Sequence, residues 1–300
     1  MTQLPLVSIV IPTYNRKAKI QRLIHSIWAN NYPRNRIEIF VVDNGSTDGT
    51  REALARDHTI KLILSAKNLY SAGGRNEGAR HTAGEYIFFI DDDNVLDELC
   101  IGQLVEHFES SEALGIVGPL MLDYNHPENI WCAGGVLDAY GRPHHLYINK
   151  HMVNIDKQQA IPNIDYFPNA YMVRAEVMQR IQHDTELFPH NWAEQDFCLR
   201  AKALGYTLET KIDAVTYHDF GKLSRITRVG IDKSYDQARG RMLFRRKYYN
   251  TFNNWLFFWV ILFPASTIFY GIVFIKDENN AFKLFESYIR GSLSGLKQKI

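Results

Sequence analysis

Up to Ile90, the chain alternates short apolar runs with amphipathic segments, which restricts it to few folds. The apolar runs predict strands at Val7–Ile11, Ile37–Val42, Ile60–Leu64 and Tyr86–Ile90. The segments between them predict helices at Lys17–Trp28, Thr50–Asp57 and Gly73–Ala83. Pro12 is expected to stop the first strand. Strands that alternate with helices predict an α/β fold, with a mostly parallel sheet flanked by helices on both faces.

Three consecutive carboxylates, Asp91–Asp93, follow the fourth predicted strand where it should reach solvent. Side chains alternate along extended backbone, so Asp91 and Asp93 are expected to point the same way. Like charges this close repel each other, and burying them unpaired is costly. A divalent cation relieves both problems, which predicts a metal site. The alternative is an acidic turn, in which Asp93 or Asn94 caps a helix that begins at Val95.

A second acidic segment, Asn191–Asp196, is predicted to open a helix that ends near Leu204. Asp196 precedes Arg200 by four residues, so the two can pair on one helical face, and Asp196 is first a positioning residue. Glu194 has no such partner in the sequence. The first helical turn favours a charged carboxylate, and a general base must be charged, so Glu194 is a candidate base. The alternative is an ordinary acid at a helix start.

His218 follows an apolar run, Ala214–Tyr217, that predicts a further strand. If the sheet brings this histidine near Asp93, carboxylates and imidazole would form a site for Mn²⁺ or Mg²⁺. The alternative is a surface histidine at the end of a strand.

Composition excludes several classes of protein. The 300 residues suit one large domain, or a domain of about 200 to 250 residues with an appendage. The net charge of +1 gives no reason to expect nucleic-acid binding. The three cysteines are widely spaced, which favours a reducing compartment, and Met1–Val7 does not resemble a signal peptide. Pro12–Arg16 stands where a dinucleotide-binding oxidoreductase would carry G-x-G-x-x-G.

The C-terminal quarter is basic and then apolar. Between Lys222 and Lys247 nine basic residues face two acidic ones, and the following Trp255–Ile275 is 21 residues long without a charge. That length suffices for a membrane span, and the basic residues before it favour the cytoplasmic side. Pro264 interrupts the segment, so an interfacial or re-entrant segment and a buried oligomer or domain interface stay open. The tail over 282–296 predicts an amphipathic helix.

Together these motifs resemble those of the inverting family-2 glycosyltransferases of the GT-A fold, over about residues 6 to 250. The motifs that carry the resemblance are, in order, Pro12–Arg16, Val41–Thr50, Asn68 with Gly73–Ala79, Asp91–Asp93, and Trp192–Arg200. Within the family, the chain is most similar to bacterial galactofuranosyl- and rhamnosyltransferases. It departs from them at Ala193, where those enzymes often have the first of two consecutive acids.

The resemblance implies a nucleotide-diphosphate sugar as donor. Asp43 would accept a hydrogen bond from the imide N–H of uracil or thymine, which favours a UDP- or dTDP-sugar. The other residues expected to contact the donor are Pro12, Tyr14, Asn15, Asn68, Arg75, Asn76, Asp91 and Asp92. Arg75 could instead cap local carbonyl groups.

The resemblance also implies the catalytic roles. Asp91, Asp93 and His218 would hold Mn²⁺ or Mg²⁺ on the diphosphate. Glu194 would remove the proton of an acceptor hydroxyl in a single inverting displacement, with Asp196 as a positioning residue or the alternative base.

For the whole chain we expect a GT-A catalytic domain over residues 1–220 and a basic, apolar helical region over 221–300. The nucleotide-sugar half would span about 1–95 and the acceptor half about 96–220. The expected function is transfer to a lipid-linked or other glycan acceptor in cell-envelope polysaccharide or glycoprotein assembly. It would take place at the cytoplasmic face of a membrane, where the enzyme could form a homo-oligomer. The alternatives are a polyprenyl-phosphate sugar synthase and a catalytically silent nucleotide-sugar-binding scaffold.

Overall fold

The computed structural model describes residues 3–155, 160–219, 231–275 and 281–300, and these form two compact units. The first unit comprises Met1–Val136, His144–Thr185 and Ala193–Phe220. The second comprises Leu137–Pro143, Glu186–Trp192 and Gly221–Ile300. The domain boundary predicted after residue 220 lies outside the described residues, as does the part of the basic run before residue 231.

The first unit is built on a ten-stranded sheet. In chain order the strands of the structure are β1 (Val7–Thr13), β2 (Ile37–Asp43), β3 (Lys61–Leu64), β4 (Tyr86–Ile90), β5 (Asn94–Leu96), β6 (Leu114–Asp123), β7 (Ile130–Cys132), β8 (Gly135–Leu137), β9 (Pro143–His145), β10 (Ala160–Ile161), β11 (Ala170–Arg174) and β12 (Thr207–His218). The order across the sheet is β10-β12-β6-β11-β4-β1-β2-β3, with β5 paired to β12 and β7 paired to β6. Strands β8 and β9 pair with each other.

The helices of the first unit are α1 (Lys17–Trp28), α2 (Thr50–Leu54), α3 (Tyr70–Ala79), α4 (Cys100–Glu109), α5 (Ala175–Arg180) and α6 (Ala193–Ala203). Those of the second unit are α7 (Ile231–Tyr248), α8 (Phe252–Phe257), α9 (Phe263–Ile275) and α10 (Ala281–Lys297). Two 3₁₀ turns lie at Arg34–Arg36 and Met152–Asn154, and a π-helical segment at Phe258–Leu262 joins α8 to α9.

The sheet is mixed, so the expectation of a mostly parallel sheet is wrong for its second half. Strands β3, β2, β1 and β4 are parallel neighbours, as the alternation of strands and helices predicts. Strand β11 runs antiparallel to both β4 and β6. The described residues between β6 and β11 contain no α-helix, and a parallel return normally needs such a crossover.

Helix α3 lies unusually close to β1 because two glycines face the strand. A Cβ atom at Gly78 would lie 2.3 Å from the side chain of Val10, and one at Gly74 would lie 2.7 Å from that of Pro12. Strand β1 continues through Pro12 to Thr13, although proline was expected to stop it. Its pairing with β4 ends at Val10, so Pro12 lies beyond the part of the strand that is paired on both sides.

In the second unit, α10 packs along α7. Leu284 and Tyr288 of α10 are buried against Ala238 of α7, as the amphipathic pattern predicts. The apolar segment predicted as one stretch is divided among α8, the π-helical segment and α9. None of the helices in the described ranges combines the length and the hydropathy that a bilayer span requires.

Candidate active site

The three consecutive aspartates form a tight turn directly after β4. The backbone N–H of Asn94 donates to the carbonyl oxygen of Asp91 at 3.3 Å, so the chain leaves the extended conformation there. The carboxylate of Asp91 accepts a hydrogen bond from Arg75 at 2.6 Å, whereas that of Asp93 accepts one from Arg16 at 3.0 Å. The side-chain alternation expected of extended backbone therefore does not govern these residues. The turn leads into β5, not into the helix considered from Val95.

The environment of this turn shifts the acidities of its carboxyl groups. Burial raises the pKa of Asp91 to about 6; the charge of Arg75 opposes the rise and that of Asp93 adds to it. Burial also raises the pKa of Asp92 to about 7, again with a contribution from Asp93. Asp92 accepts a hydrogen bond from the Thr13 hydroxyl at 2.7 Å. Burial thus disfavours the charged forms of Asp91 and Asp92, and the neighbouring Asp93 adds to that effect.

Strand pairing brings His218 to this turn. Strands β5 and β12 are antiparallel, with His218 opposite Asn94, and the Nε2 atom of His218 lies 3.4 Å from a carboxylate oxygen of Asp93. The imidazole is buried and packs edge-on against Trp131, so His218 is not a surface histidine. Burial would raise the pKa of Asp93, but the hydrogen bond and charge of His218 and the charge of Arg16 outweigh it and hold that pKa at about 2.

Arg75 connects the two acidic segments. Its side chain is completely buried, and its guanidinium donates one hydrogen bond to Asp91 and another to Glu194. The guanidinium carbon also lies 5.5 Å from the centre of the Tyr171 ring. Glu194, which has no evident partner in the sequence, is thus linked to the acidic turn by a single side chain, that of Arg75. The guanidinium fixes the orientation of the Glu194 carboxylate.

Asp196 is paired as the sequence predicts. Its carboxylate is fully buried and accepts hydrogen bonds from Arg200 at 2.8 Å. Arg200 also donates to the carbonyl oxygen of Gln182, so the pair fastens α6 to the segment that follows α5. This arrangement suits a positioning residue.

The two predicted nucleotide loops are tied to each other. Asn15 has a positive φ of 52°, and its side-chain oxygen accepts a hydrogen bond from the backbone N–H of Thr47 at 2.7 Å. Asp43 is fully buried at the end of β2, where its carboxylate accepts hydrogen bonds from the backbone of Ser46 at 3.1 Å and from Arg51 at 3.0 Å. Asp43 thus orders its own loop.

The other predicted donor contacts lie around α3. Pro12 packs against this helix, and the side-chain oxygen of Asn68 accepts a hydrogen bond from the backbone of Tyr70 at its first residue. Tyr14 is 45% exposed. The side-chain amide of Asn76 donates a hydrogen bond to the carbonyl oxygen of His183 and accepts one from its backbone N–H. The Nδ1 atom of the His183 ring lies 3.1 Å from the same side-chain oxygen of Asn76.

Asp93 and His218 fit two neighbouring positions of one cation. Two adjacent ligands about 2.1 Å from an octahedral ion lie about 3 Å apart, close to the 3.4 Å observed between these atoms. Among the described residues, no group of three His, Cys, Asp or Glu side chains is arranged to hold a metal. Asp91, expected as a third ligand, bonds to Arg75 in this structure.

Sequence reasoning did not find three contributors to the site. Thr13 and Tyr171 are buried neighbours of Asp92 and Arg75, and Arg51 is the partner of Asp43. A basic residue in the first turn of the helix after Asp43 was a usable signal for Arg51. Thr13 and Tyr171 carry no local signal, because only the sheet brings them to the site.

The acidic turn at the carboxyl end of β4, with an acidic helix start beside it, lies where open α/β sheets bind their ligands, as the GT-A resemblance predicts. The chain belongs to glycosyl transferase family 2, whose model matches residues 8–181. The chain is 25% identical over 230 residues to the glycosyltransferase AglE of Haloferax volcanii, covering 73% of this chain and 70% of AglE. It is 34% identical over 94 residues to the putative teichuronic acid biosynthesis glycosyltransferase TuaG of Bacillus subtilis, covering 30% of this chain and 36% of TuaG.

Solved structures show the same fold. The mannosyltransferase PcManGT of Pyrobaculum calidifontis, solved with GDP-Man and Mn²⁺, matches with a TM-score of 0.61 and 16% identity over all of this chain and 89% of that one. GalNAc-T7, solved with UDP, GalNAc and Mn²⁺, matches with a TM-score of 0.64 and 14% identity over 82% of this chain and 50% of that one. The GT-A fold is thereby confirmed. The particular likeness to galactofuranosyl- and rhamnosyltransferases stays a prediction.

Proposed function

We propose that this chain transfers a sugar from a UDP- or dTDP-sugar to a hydroxyl group of a glycan acceptor, with inversion at the anomeric carbon. The observation that carries the proposal is the bridge of Arg75 between Glu194 and Asp91. It joins a candidate base to the acidic turn at which a nucleotide diphosphate would bind. A galactofuranosyl or rhamnosyl donor is one form of this proposal.

Glu194 is the proposed base. The hydrogen bond from Arg75 is made to one oxygen of the Glu194 carboxylate, and a carboxylate offers further acceptor positions for an incoming hydroxyl group. Glu194 would take the proton of that hydroxyl as its oxygen attacks the anomeric carbon. Asp196 is the weaker candidate, because its carboxylate is fully buried and bonded to Arg200.

Asp93 and His218 are the residues proposed to hold Mn²⁺ or Mg²⁺. When bound, such a cation neutralises negative charge on the departing diphosphate. The distance between the two side chains supports this assignment, as does Mn²⁺ in the solved structures of PcManGT and GalNAc-T7. Arg16, bonded to Asp93, is a second positive charge at the same place.

The proposed setting is the assembly of cell-envelope or glycoprotein glycans on a lipid-linked acceptor at the cytoplasmic face of a membrane. The names of relatives support an envelope glycan: TuaG, and the poly(ribitol-phosphate) β-N-acetylglucosaminyltransferase TarS of Staphylococcus aureus. A polyprenyl phosphate is the alternative acceptor, and product analysis with each acceptor separates the two.

The proposal is tested first by donor binding. UDP-, dTDP- and GDP-sugars are added separately, with and without Mn²⁺, and the unfolding temperature is measured. We expect one donor class to stabilise the protein and a chelator to remove that effect. Stabilisation by purine nucleotide sugars alone would contradict the donor assignment.

The base is tested by single-turnover kinetics with the stabilising donor. Glu194→Gln should lower the rate by about 10² to 10⁴ while donor-induced stabilisation is retained. Glu112→Gln, which changes an exposed carboxylate, is the matched control and should keep the rate. The anomeric configuration of the product, measured by NMR and compared with that of the donor, shows whether the reaction proceeds with inversion. An unchanged rate in Glu194→Gln would refute the assignment of the base.

A further inference from the structure

A cavity of about 270 Å³ lies within the second unit, and none of its described lining residues is among the site residues assigned above. Its walls come from α7, from the segment Gly141–Pro143, and from the π-helical segment with the start of α9. The lining residues that matter here are Arg142, Arg241, Arg245, Trp192, Phe258 and Ser266. No acidic side chain is among the described residues that line it.

Arg245 is the unusual member of this lining. Its side chain is only 4% exposed, and one guanidinium nitrogen donates to the carbonyl oxygen of Tyr140 at 2.6 Å. The guanidinium carbon lies 4.8 Å from the centre of the Phe258 ring. The other terminal nitrogen, Nη1, is buried and has no hydrogen-bond partner within the described part of the chain. A buried charged donor without an acceptor is costly, so the site favours an occupant that accepts hydrogen bonds.

The charged residues around Arg245 indicate that the occupant carries a negative charge. Arg241 lies one helical turn away and donates to the hydroxyl of Ser266 at 3.1 Å. Arg142 is paired with Asp138 at 2.5 Å, so its charge is already matched. Burial lowers the pKa of Arg245 to about 10, and the charge of Arg241 lowers it further. The charge of Asp138 opposes this lowering. The buried Arg245 and the partly buried Arg241 both line the cavity, and an anion between them would relieve the repulsion of their guanidinium groups.

The geometry favours a phosphate group over a single-atom anion. Arg241 and Arg245 are four residues apart, so their guanidinium groups rise from the same face of α7. Planar guanidinium groups bind phosphate oxygens through paired hydrogen bonds. The cavity also has room for a diphosphate or for the beginning of a chain attached to the phosphate.

An apolar surface adjoins the cavity. Phe258 and Leu262 line it, and the residues between them on the π-helical segment are exposed: Trp259 by 43%, Val260 by 63% and Ile261 by 51%. The charged group of an anion would therefore contact the arginines of the cavity, and an apolar substituent on it would contact the exposed residues 259–261 beside the cavity.

We infer that this cavity binds a phosphate or diphosphate group, held by Arg241 and Arg245. The group can belong to a lipid head or to a water-soluble phosphate, and the two sources share the recognition chemistry. The inference does not depend on the proposed transfer reaction, because none of these residues belongs to the proposed active site.

The test uses the full chain with a chelator present, so that metal-dependent binding of the probe at the donor site is suppressed. One arm measures binding of inorganic pyrophosphate by calorimetry. The other measures co-sedimentation with vesicles of phosphatidylcholine containing either phosphatidic acid or phosphatidylglycerol at matched charge. Each arm compares the wild type with Arg245→Gln and Arg241→Gln. The control is Lys283→Gln, which removes one positive charge from an exposed position of α10.

We expect Arg245→Gln and Arg241→Gln to weaken binding by about tenfold or more in at least one arm, with less than about a twofold change in Lys283→Gln. Loss confined to vesicles with phosphatidic acid identifies a lipid phosphate as the source, and loss confined to pyrophosphate identifies a soluble one. Weaker binding in both arms shows that the cavity recognises the phosphate group itself, whichever molecule carries it. If Arg245→Gln does not fold, Arg241→Gln decides the outcome.

Two results would overturn the inference. One is binding of both probes that is unchanged in the arginine variants, or absent in the wild type. The other is an equal loss in Lys283→Gln, with no preference for phosphatidic acid, since that pattern reports surface charge. Neither result bears on Glu194, whose kinetic test is separate.

Discussion

The guanidinium of Arg75 donates a hydrogen bond to the carboxylate of Glu194, although the two residues belong to different helices, α3 and α6. The same guanidinium bonds to Asp91, so one buried cation serves an acid from each of the two acidic segments. The arrangement fixes the orientation of the Glu194 carboxylate. It also makes Arg75 indispensable to the charge balance of the site.

Removal of the Arg75 charge should destabilise the fold and the site together. Arg75→Met leaves two partly buried carboxylates without their partner; breaking a fully buried pair typically costs about 3 to 5 kcal/mol in the free energy of unfolding, and we expect a loss of about 2 kcal/mol or more. Urea denaturation of the purified variant measures the loss. Arg80→Met on the same helical segment removes an exposed pair with Glu77 and should cost less than about 1 kcal/mol. Equal losses in the two variants would contradict the role of Arg75.

His218 should be needed for cation binding. His218→Ala removes the imidazole beside Asp93, and we expect the affinity for Mn²⁺ in the presence of the donor to fall at least about tenfold. His145→Ala is the matched control, since His145 also packs edge-on against Trp131. Titration calorimetry with Mn²⁺ compares them. Equal affinities in the two variants would exclude His218 as a ligand.

The buried His183 should contribute a loss of stability in mild acid. Burial holds the pKa of His183 well below its usual value of 6.5, and the charges of Arg75 and Arg200 lower it further, so the folded state keeps this imidazole neutral. The unfolded chain takes up the proton below about pH 6.5, so the contribution of His183 to the free energy of unfolding falls there by up to about 1.4 kcal/mol per pH unit. The raised pKa values of Asp91 and Asp92 act in the opposite direction, because the folded state binds protons at these carboxyl groups first.

Urea denaturation at pH 8 and pH 5.5 checks this expectation. On going from pH 8 to pH 5.5, the change in the free energy of unfolding should favour the folded state more in His183→Gln than in the wild type. His58→Gln, at an exposed position, should keep the wild-type difference. A wild-type difference in both variants would assign the acid sensitivity to other groups.

The close approach of α3 to β1 should make Gly78 intolerant of a side chain. Gly78→Ala would place its Cβ atom 2.3 Å from Val10, and overpacking of this kind costs about 1 to 3 kcal/mol. Gly102→Ala within α4 is the matched control, because the nearest atom to its Cβ would lie 3.9 Å away. There alanine should stabilise the helix by up to about 1 kcal/mol. Thermal unfolding should therefore shift in opposite directions.

Local patterns predicted the elements whose signals lie within one segment. Helix α1 and strand β4 have the predicted bounds, because a 3.6-residue apolar stripe and a continuous apolar run are both local signals. The pairing of Asp196 with Arg200 likewise follows from helical spacing alone. The acidic turn was recognisable because three adjacent charges are unusual after a buried strand.

Such local patterns could not predict contacts between residues that are distant in the sequence. The bond between Arg75 and Glu194 joins segments that only the fold brings together, and neither segment identifies the other. The direction of β11 depends on the path of the chain after β6, where no predicted helix marks a crossover. The buried Nη1 atom of Arg245 reflects packing around one side chain, which no spacing rule describes.

Strand β5 has only three residues, yet its ladder with β12 decides where His218 stands. A slip of this ladder by one residue would turn the imidazole to the opposite face of the sheet. Single-residue insertions or deletions close to either strand should therefore separate His218 from Asp93 even when both residues are retained. Three ladder pairs between segments about 120 residues apart thus determine the surroundings of the imidazole.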